Sequence, residues 1–117
     1  MKILLIVDLQ NDFCSGGSLA VPEGEQIVPI VNGLIDSGRF DLIIATKDSH
    51  PADHKSFAMN HPERKIFEQI DLNGLSQTLW PVHCVQGSHG AEFHTELKVK
   101  EIDYIIEKGR DREVDSY

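Results

Sequence analysis

Asp48, His50, His54 and His83 place one carboxylate and three imidazoles on two short segments, Thr46-Lys47-Asp48-Ser49-His50-Pro51-Ala52-Asp53-His54 and Trp80-Pro81-Val82-His83-Cys84. Imidazole favours borderline first-row metals and a carboxylate offsets part of a dication's charge, so this donor set suits zinc, iron or manganese. Solvated loop histidines would give the same spacing, and spacing alone leaves both readings open. His61, His89 and His94 have weaker claims and stay unassigned. A second group overlaps the first. Asp8, Asp48 and Lys108 each stand at or just beyond the end of an apolar run, the edge where open α/β sheets hold their ligands. Singly, such an Asp is a turn former or helix cap and such a Lys reaches for water. Three together, beside a histidine loop, point to a site.

The elements that must position these groups follow from the hydrophobic pattern. Ile3 to Val7 is apolar at every position, which predicts a parallel strand buried on both faces, starting at Lys2. Asp8 to Pro22, with Gly16 and Gly17, reads as a loop over the carboxyl end of that strand. From about Glu25 to Ser37, Ile27, Ile30, Val31, Leu34 and Ile35 recur at helical spacing, with Pro29 near the first turn and Gly38 placed to end the helix. Leu42 to Thr46 forms a second strand and Ile102 to Glu107 a third, closed by Lys108-Gly109. Strand, helix and strand in about 45 residues make a βαβ unit with a right-handed crossover and a parallel sheet. The fold expected is α/β, a doubly wound, Rossmann-like parallel sheet. Lys47 to Leu97 shows little periodicity and reads as a long functional loop.

Composition removes whole classes of function. With 11 Lys and Arg against 19 Asp and Glu the net charge is −8, and no basic stripe exists to displace counterions from nucleic acid. The longest aliphatic run falls far short of the roughly 20 residues a bilayer span requires. A soluble, cytoplasmic protein is expected, with residues 1–117 forming a single domain. Cys14 and Cys84 are too few for a disulfide scaffold and read as two reduced thiols. No Gly-x-Gly-x-x-Gly follows the first strand, which argues against a nucleotide-binding module.

Val7-Asp8-Leu9-Gln10-Asn11-Asp12-Phe13-Cys14, Gly16-Gly17-Ser18-Leu19-Ala20-Val21, Ala45-Thr46-Lys47-Asp48-Ser49-His50, Trp80-Pro81-Val82-His83-Cys84 and Glu107-Lys108-Gly109 together resemble the nicotinamidases of the isochorismatase-like cysteine hydrolase superfamily. The resemblance runs from Met1 to Tyr117. It implies Asp8 as general base, Lys108 as the cation beside the nucleophile, and Asp48, His50, His54 and His83 as ligands of a divalent metal, zinc before iron or manganese. It also implies Phe13, Leu19 and Trp80 as walls of the substrate pocket. The family deamidates nicotinamide to nicotinate and ammonia through a cysteine thioester, and many members accept pyrazinamide. The physics suits those roles: a carboxylate takes the thiol proton, and an ammonium stabilises the thiolate, which is the nucleophilic form. The metal would hold the pyridine nitrogen and orient the amide.

The family's nucleophilic cysteine and oxyanion-hole amides lie in a later Thr-Asp-x-Cys-Val segment that has no match here, so the nucleophile is unassigned. Cys14 and Cys84 match non-catalytic cysteines of the family pattern. The chain is therefore expected to be the N-terminal part of the domain, truncated after the third strand. In a doubly wound order 3-2-1-4-5-6 that leaves strand 1 as an edge, which predicts self-association or pairing with a missing C-terminal half. Two alternatives stand beside the amide hydrolase: an inactive metal-binding fragment, and a metal-independent isochorismatase-like or N-carbamoyl amide hydrolase. The partner expected is a small-molecule amide substrate, with no nucleic acid and no membrane.

Overall fold

The computed structural model describes residues 1–117. Strands β1 (Ile3–Val7), β2 (Leu42–Asp48) and β5 (Tyr104–Lys108) form a parallel sheet in the order β1-β2-β5, and β3 (Gln69–Leu72) with β4 (Leu75–Thr78) makes a separate antiparallel hairpin. Ile3 lies opposite Leu42 and Val7 opposite Thr46, and on the far side Ile44 lies opposite Tyr104 and Asp48 opposite Lys108. The order puts β1 at an edge and β2 in the centre, as a doubly wound sheet requires of its first three strands. No helix is long and apolar enough to cross a membrane.

Helix α1 (Ile27–Asp36) links β1 to β2. Pro29 falls in the first turn, where its missing N–H is not needed, and Gly38 ends the helix in the left-handed conformation at φ 67°. The buried stripe is Val28, Val31 and Ile35, while Ile27 and Ile30 face outward. Of the five aliphatic residues expected at helical spacing, Val31, Leu34 and Ile35 are at least half-buried and Ile27 and Ile30 are not, with Val28 taking their place in the core. A single turn over Gly24–Gln26 precedes the helix. Against this stripe pack Leu4 and Ile6 of β1, Ile43 and Ala45 of β2, and Leu9, Cys14 and Leu97 from the loops.

Two expectations need correction. β1 is not buried on both faces: Ile6 is 4% exposed, but Ile3, Leu5 and Val7 are 49%, 56% and 59% exposed. The reason is that α1 covers only one face of the sheet. Tyr104 and Ile106 of β5 are exposed as well. Consistent with an open face, the radius of gyration is 15.5 Å where a close-packed chain of this length has about 13 Å. The stretch from Lys47 to Leu97 also holds structure the periodicity did not reveal. β3 and β4 turn at Asn73-Gly74, both at positive φ (54° and 84°), the conformation a two-residue hairpin loop demands.

The two faces of β1 give a direct test. Ile6→Ala is expected to cost about 2–5 kcal/mol in urea unfolding and its neighbour Leu5→Ala less than about 1 kcal/mol. Equal losses would mean that the outer face of β1 is covered in solution.

Candidate functional site

The parallel pairing delivers the charged groups. Asp48 and Lys108 are the last residues of β2 and β5 and lie opposite each other in register, while Asp8 follows the last residue of β1. Side chains at paired positions of adjacent parallel strands share a face. The Lys108 ammonium reaches Asp8 Oδ2 at 2.9 Å, Asp48 Oδ1 at 2.6 Å and the Ser116 carbonyl at 2.9 Å, which occupies all three of its donors. Burial disfavours the ammonium charge, but Asp48 and Asp8 outweigh that and hold the Lys108 pKa above the ordinary lysine range. Asp8 itself leaves the strand at φ 53° and accepts a hydrogen bond from Thr46 Oγ1 at 2.7 Å.

The other oxygen of Asp48 faces the histidines. Its Oδ2 lies 3.5 Å from His50 Nε2 and 3.9 Å from His83 Nε2, and all three residues are buried. His50 Nδ1 donates to the Gly109 carbonyl at 2.8 Å, and His83 Nδ1 donates to the Pro81 carbonyl at 2.8 Å. A carbonyl can only accept, so in each neutral ring the proton sits on Nδ1 and Nε2 carries a lone pair. Two lone pairs thus converge on one carboxylate oxygen. His50 Nε2 is fully buried with no hydrogen-bond partner. A buried lone pair aimed at a carboxylate is repulsive unless a cation lies between them, and the donor set fits a divalent metal. Protonation would answer the same demand. Burial opposes charge on His50, yet Asp48 and the Gly109 carbonyl outweigh it and raise its pKa, whereas burial dominates at His83 and lowers it.

His54 is placed differently from the other three. Ser56 N–H donates to its Nδ1 at 3.1 Å, so the ring proton sits on Nε2, which donates to the Val114 carbonyl at 3.2 Å. That is the opposite tautomer, and it offers no lone pair to Asp48. His54 instead groups with His50 and Asp115. Its pKa is lowered, by burial first and then by His50.

A cleft of about 560 Å³ opens over these groups. Phe13, Leu19 and Trp80 line it together with Asp8, Asp48, His83 and Lys108, so all three residues expected as walls share one cavity with the charged cluster. Phe57, Asp115 and Tyr117 contribute without having been marked by the sequence. Phe57 is fully buried against His50, His54 and His83, with ring centroids 5.4–5.7 Å apart. Asp115 and Tyr117 sit at the cleft because Gln77 of β4 donates to the Asp115 carboxylate and the Tyr117 hydroxyl, each at 3.1 Å. Gly109 touches His50 so closely that an added Cβ would lie 2.5 Å from its ring, and its φ of 67° also favours glycine. Of the unassigned histidines, His61 bonds the Lys55 carbonyl at 2.6 Å, His94 accepts from Glu96 N–H, and His89 sits beside Glu92.

Residues 2–111 match the Isochorismatase domain family. The nicotinamidase of Escherichia coli K12 is 50% identical over 118 residues, an alignment covering 99% of this chain and 55% of the relative. Among solved structures, an Acinetobacter baumanii nicotinamidase/pyrazinamidase superposes with a TM-score of 0.93 at 47% identity, covering 98% of this chain and 55% of that one. A pyrazinamidase of Pyrococcus horikoshii in complex with zinc gives a TM-score of 0.72 at 38% identity, covering 98% and 55%. The chain spans about half the length of the curated relatives it matches.

Neither thiol has the environment of a nucleophile. Burial, followed by Asp48, Asp12 and Asp8, pushes the Cys84 thiol far up, and burial with Glu25 raises Cys14. In the folded chain at mildly alkaline pH, iodoacetamide should leave both unmodified by mass spectrometry and label both in urea. Rapid labelling of folded Cys84 would overturn the assignment. Because folding holds its proton, Cys84 contributes stability that is complete below the ordinary thiol value of 9.0 and is lost as pH rises toward the raised folded value. Thermal melts should therefore weaken above that pH.

Proposed function

The chain belongs to the isochorismatase family, and from that premise we propose that its residues carry the base, the cation and the metal site of a nicotinamidase-type hydrolase, which converts nicotinamide to nicotinate and ammonia. The observation that carries this reading is the division of Asp48, with Lys108 at one oxygen and the unpaired Nε2 atoms of His50 and His83 facing the other. Such a pattern calls for a second cation beside the ammonium. A metal-independent family member would have no use for it. Asp48, His50 and His83 would hold a divalent ion, zinc before iron or manganese, with His54 joining only if its proton moved from Nε2 to Nδ1.

Asp8 is the general base of the proposal. Its carboxylate is partly exposed in the cleft and ion-paired with Lys108, so it is placed to take a thiol proton and later return it to departing ammonia. Lys108, fixed by three acceptors, stabilises the thiolate so formed. Phe13, Leu19 and Trp80 supply apolar walls for a flat heteroaromatic amide, nicotinamide or pyrazinamide. When bound, the metal supplies a Lewis-acidic anchor for the ring nitrogen and thereby orients the amide. The nucleophile is read as coming from outside residues 1–117, because Cys14 and Cys84 are buried with raised pKa values. These 117 residues are read as one isochorismatase-like unit.

The same reading gives the bare sheet a partner. Ile3, Leu5 and Val7 on the uncovered face, along an edge strand, suit the remainder of a doubly wound sheet or a second copy of this chain.

Three measurements test the proposal. Purified chain should hold about one equivalent of metal per protein, lost in Asp48→Ala, and should release no ammonia from nicotinamide. A metal-free protein would overturn the metal site, and ammonia release abolished by Asp8→Ala would overturn the placement of the nucleophile. In sedimentation the chain should self-associate, with Val7→Lys shifting it toward monomer; a monodisperse wild-type monomer would count against the edge as an interface.

A further inference from the structure

The segment Leu9 to Phe13 leaves the sheet yet turns the Gln10 side chain back to β2 and the Asp12 side chain to the Cys84 backbone. Beyond Val7 the backbone of β1 diverges: Asp8 N–H still donates to the Thr46 carbonyl at 3.1 Å, but the next position on that side of β2, Asp48, has no strand beside it. Gln10, fully buried, takes the place of one. Its Oε1 accepts Asp48 N–H at 2.9 Å, and its Nε2 donates to the Asp48 carbonyl at 2.8 Å and the Ala91 carbonyl at 2.8 Å. One carboxamide thus supplies both bonds a neighbouring peptide would give, and it fixes the Asp48 backbone on either side of Cα.

Asp12 does the corresponding work for the second histidine segment. Its Oδ2 accepts Cys84 N–H at 2.7 Å, and its Oδ1 accepts Ser18 N–H at 3.2 Å. Cys84 is held at φ 48°, a left-handed conformation that a non-glycine residue adopts only when its surroundings impose it, and it directly follows His83. The carboxylate packs on Gly90 so tightly that a Cβ there would lie 2.1 Å from Oδ2.

We propose that Gln10 and Asp12 are positioning residues for the metal ligands, Gln10 setting Asp48 and Asp12 setting His83, so that one short loop fixes both ligand-bearing segments. The inference rests on the metal reading above. It assigns work to two polar residues that line neither the histidine cluster nor the charged triad. Both act through backbone, so the readout must report ligand geometry as well as stability.

The test is cobalt(II) titration of the full 117-residue chain, following the visible d–d bands, with circular dichroism of each metal-free variant. Gln10→Glu is isosteric but turns a carboxylate toward the Asp48 and Ala91 carbonyls. Asp12→Asn cannot accept both N–H groups at once. Each should bind cobalt about 10- to 100-fold more weakly than wild type, with shifted bands, the range typical of residues that orient metal ligands. The control is Asn32→Asp, because the Asn32 carboxamide also bridges backbone, at the Glu96 carbonyl and Lys98 N–H, but on the α1 side of the sheet. It should leave affinity and spectrum unchanged. Folded Gln10→Glu and Asp12→Asn proteins with wild-type cobalt binding would overturn the inference, as would an equal loss in Asn32→Asp. If Gln10→Glu does not fold, Asp12→Asn decides. A wild-type chain that binds no cobalt refutes the metal reading itself, and this inference with it.

Discussion

Asp48 divides its two oxygens between an ammonium and a pair of imidazoles, and the rest of the site is arranged around that division. One carboxylate oxygen lies 2.6 Å from the Lys108 ammonium, and the other faces the lone pairs of two buried imidazoles. A buried carboxylate with a single lysine partner would be satisfied by one ion pair. Here the ammonium also serves Asp8, so positive charge near Asp48 is deficient. Burial favours protonating the Asp48 carboxyl, but Lys108, with His50 when that ring is protonated, holds its pKa low. The group therefore stays ionised at neutral pH and keeps its attraction for a further cation.

This arrangement depends on where three parallel strands stop. In-register pairing of β2 with β5 sets Asp48 beside Lys108 on one face, and the turn of β1 at Asp8 brings the second carboxylate to the same ammonium. The histidines come from loops. They are held by backbone carbonyls of Pro81, Gly109 and Val114 and by the edge of Phe57, which fills the space beneath all three rings. Strands supply the charges and loops supply the lone pairs.

The parts legible in the sequence were those with a period or a spacing. The apolar runs marked the three parallel strands, and Asp8, Asp48 and Lys108 were found because each ends one. The inward stripe of α1 was read only in part, because six of its ten positions are aliphatic and more than one stripe fits. The outer face of β1 was misread because an all-apolar strand predicts cover and cannot say whether these residues provide it. The hairpin escaped notice although Asn73-Gly74 is a strong turn signal, since Gln69–Leu72 and Leu75–Thr78 are short and mostly exposed. The tautomer of His54 was beyond reach, because it rests on which ring nitrogen meets a carbonyl, although its ring lies 4.4 Å from that of His50.

Gly109 carries one more implication. It follows the last residue of β5, and its carbonyl is what places the His50 proton on Nδ1. Until β5 docks against β2, nothing fixes which nitrogen of that ring is free. Sheet completion and tautomer selection are thus coupled, because the His50 lone pair is turned toward Asp48 only by a carbonyl that β5 carries into place.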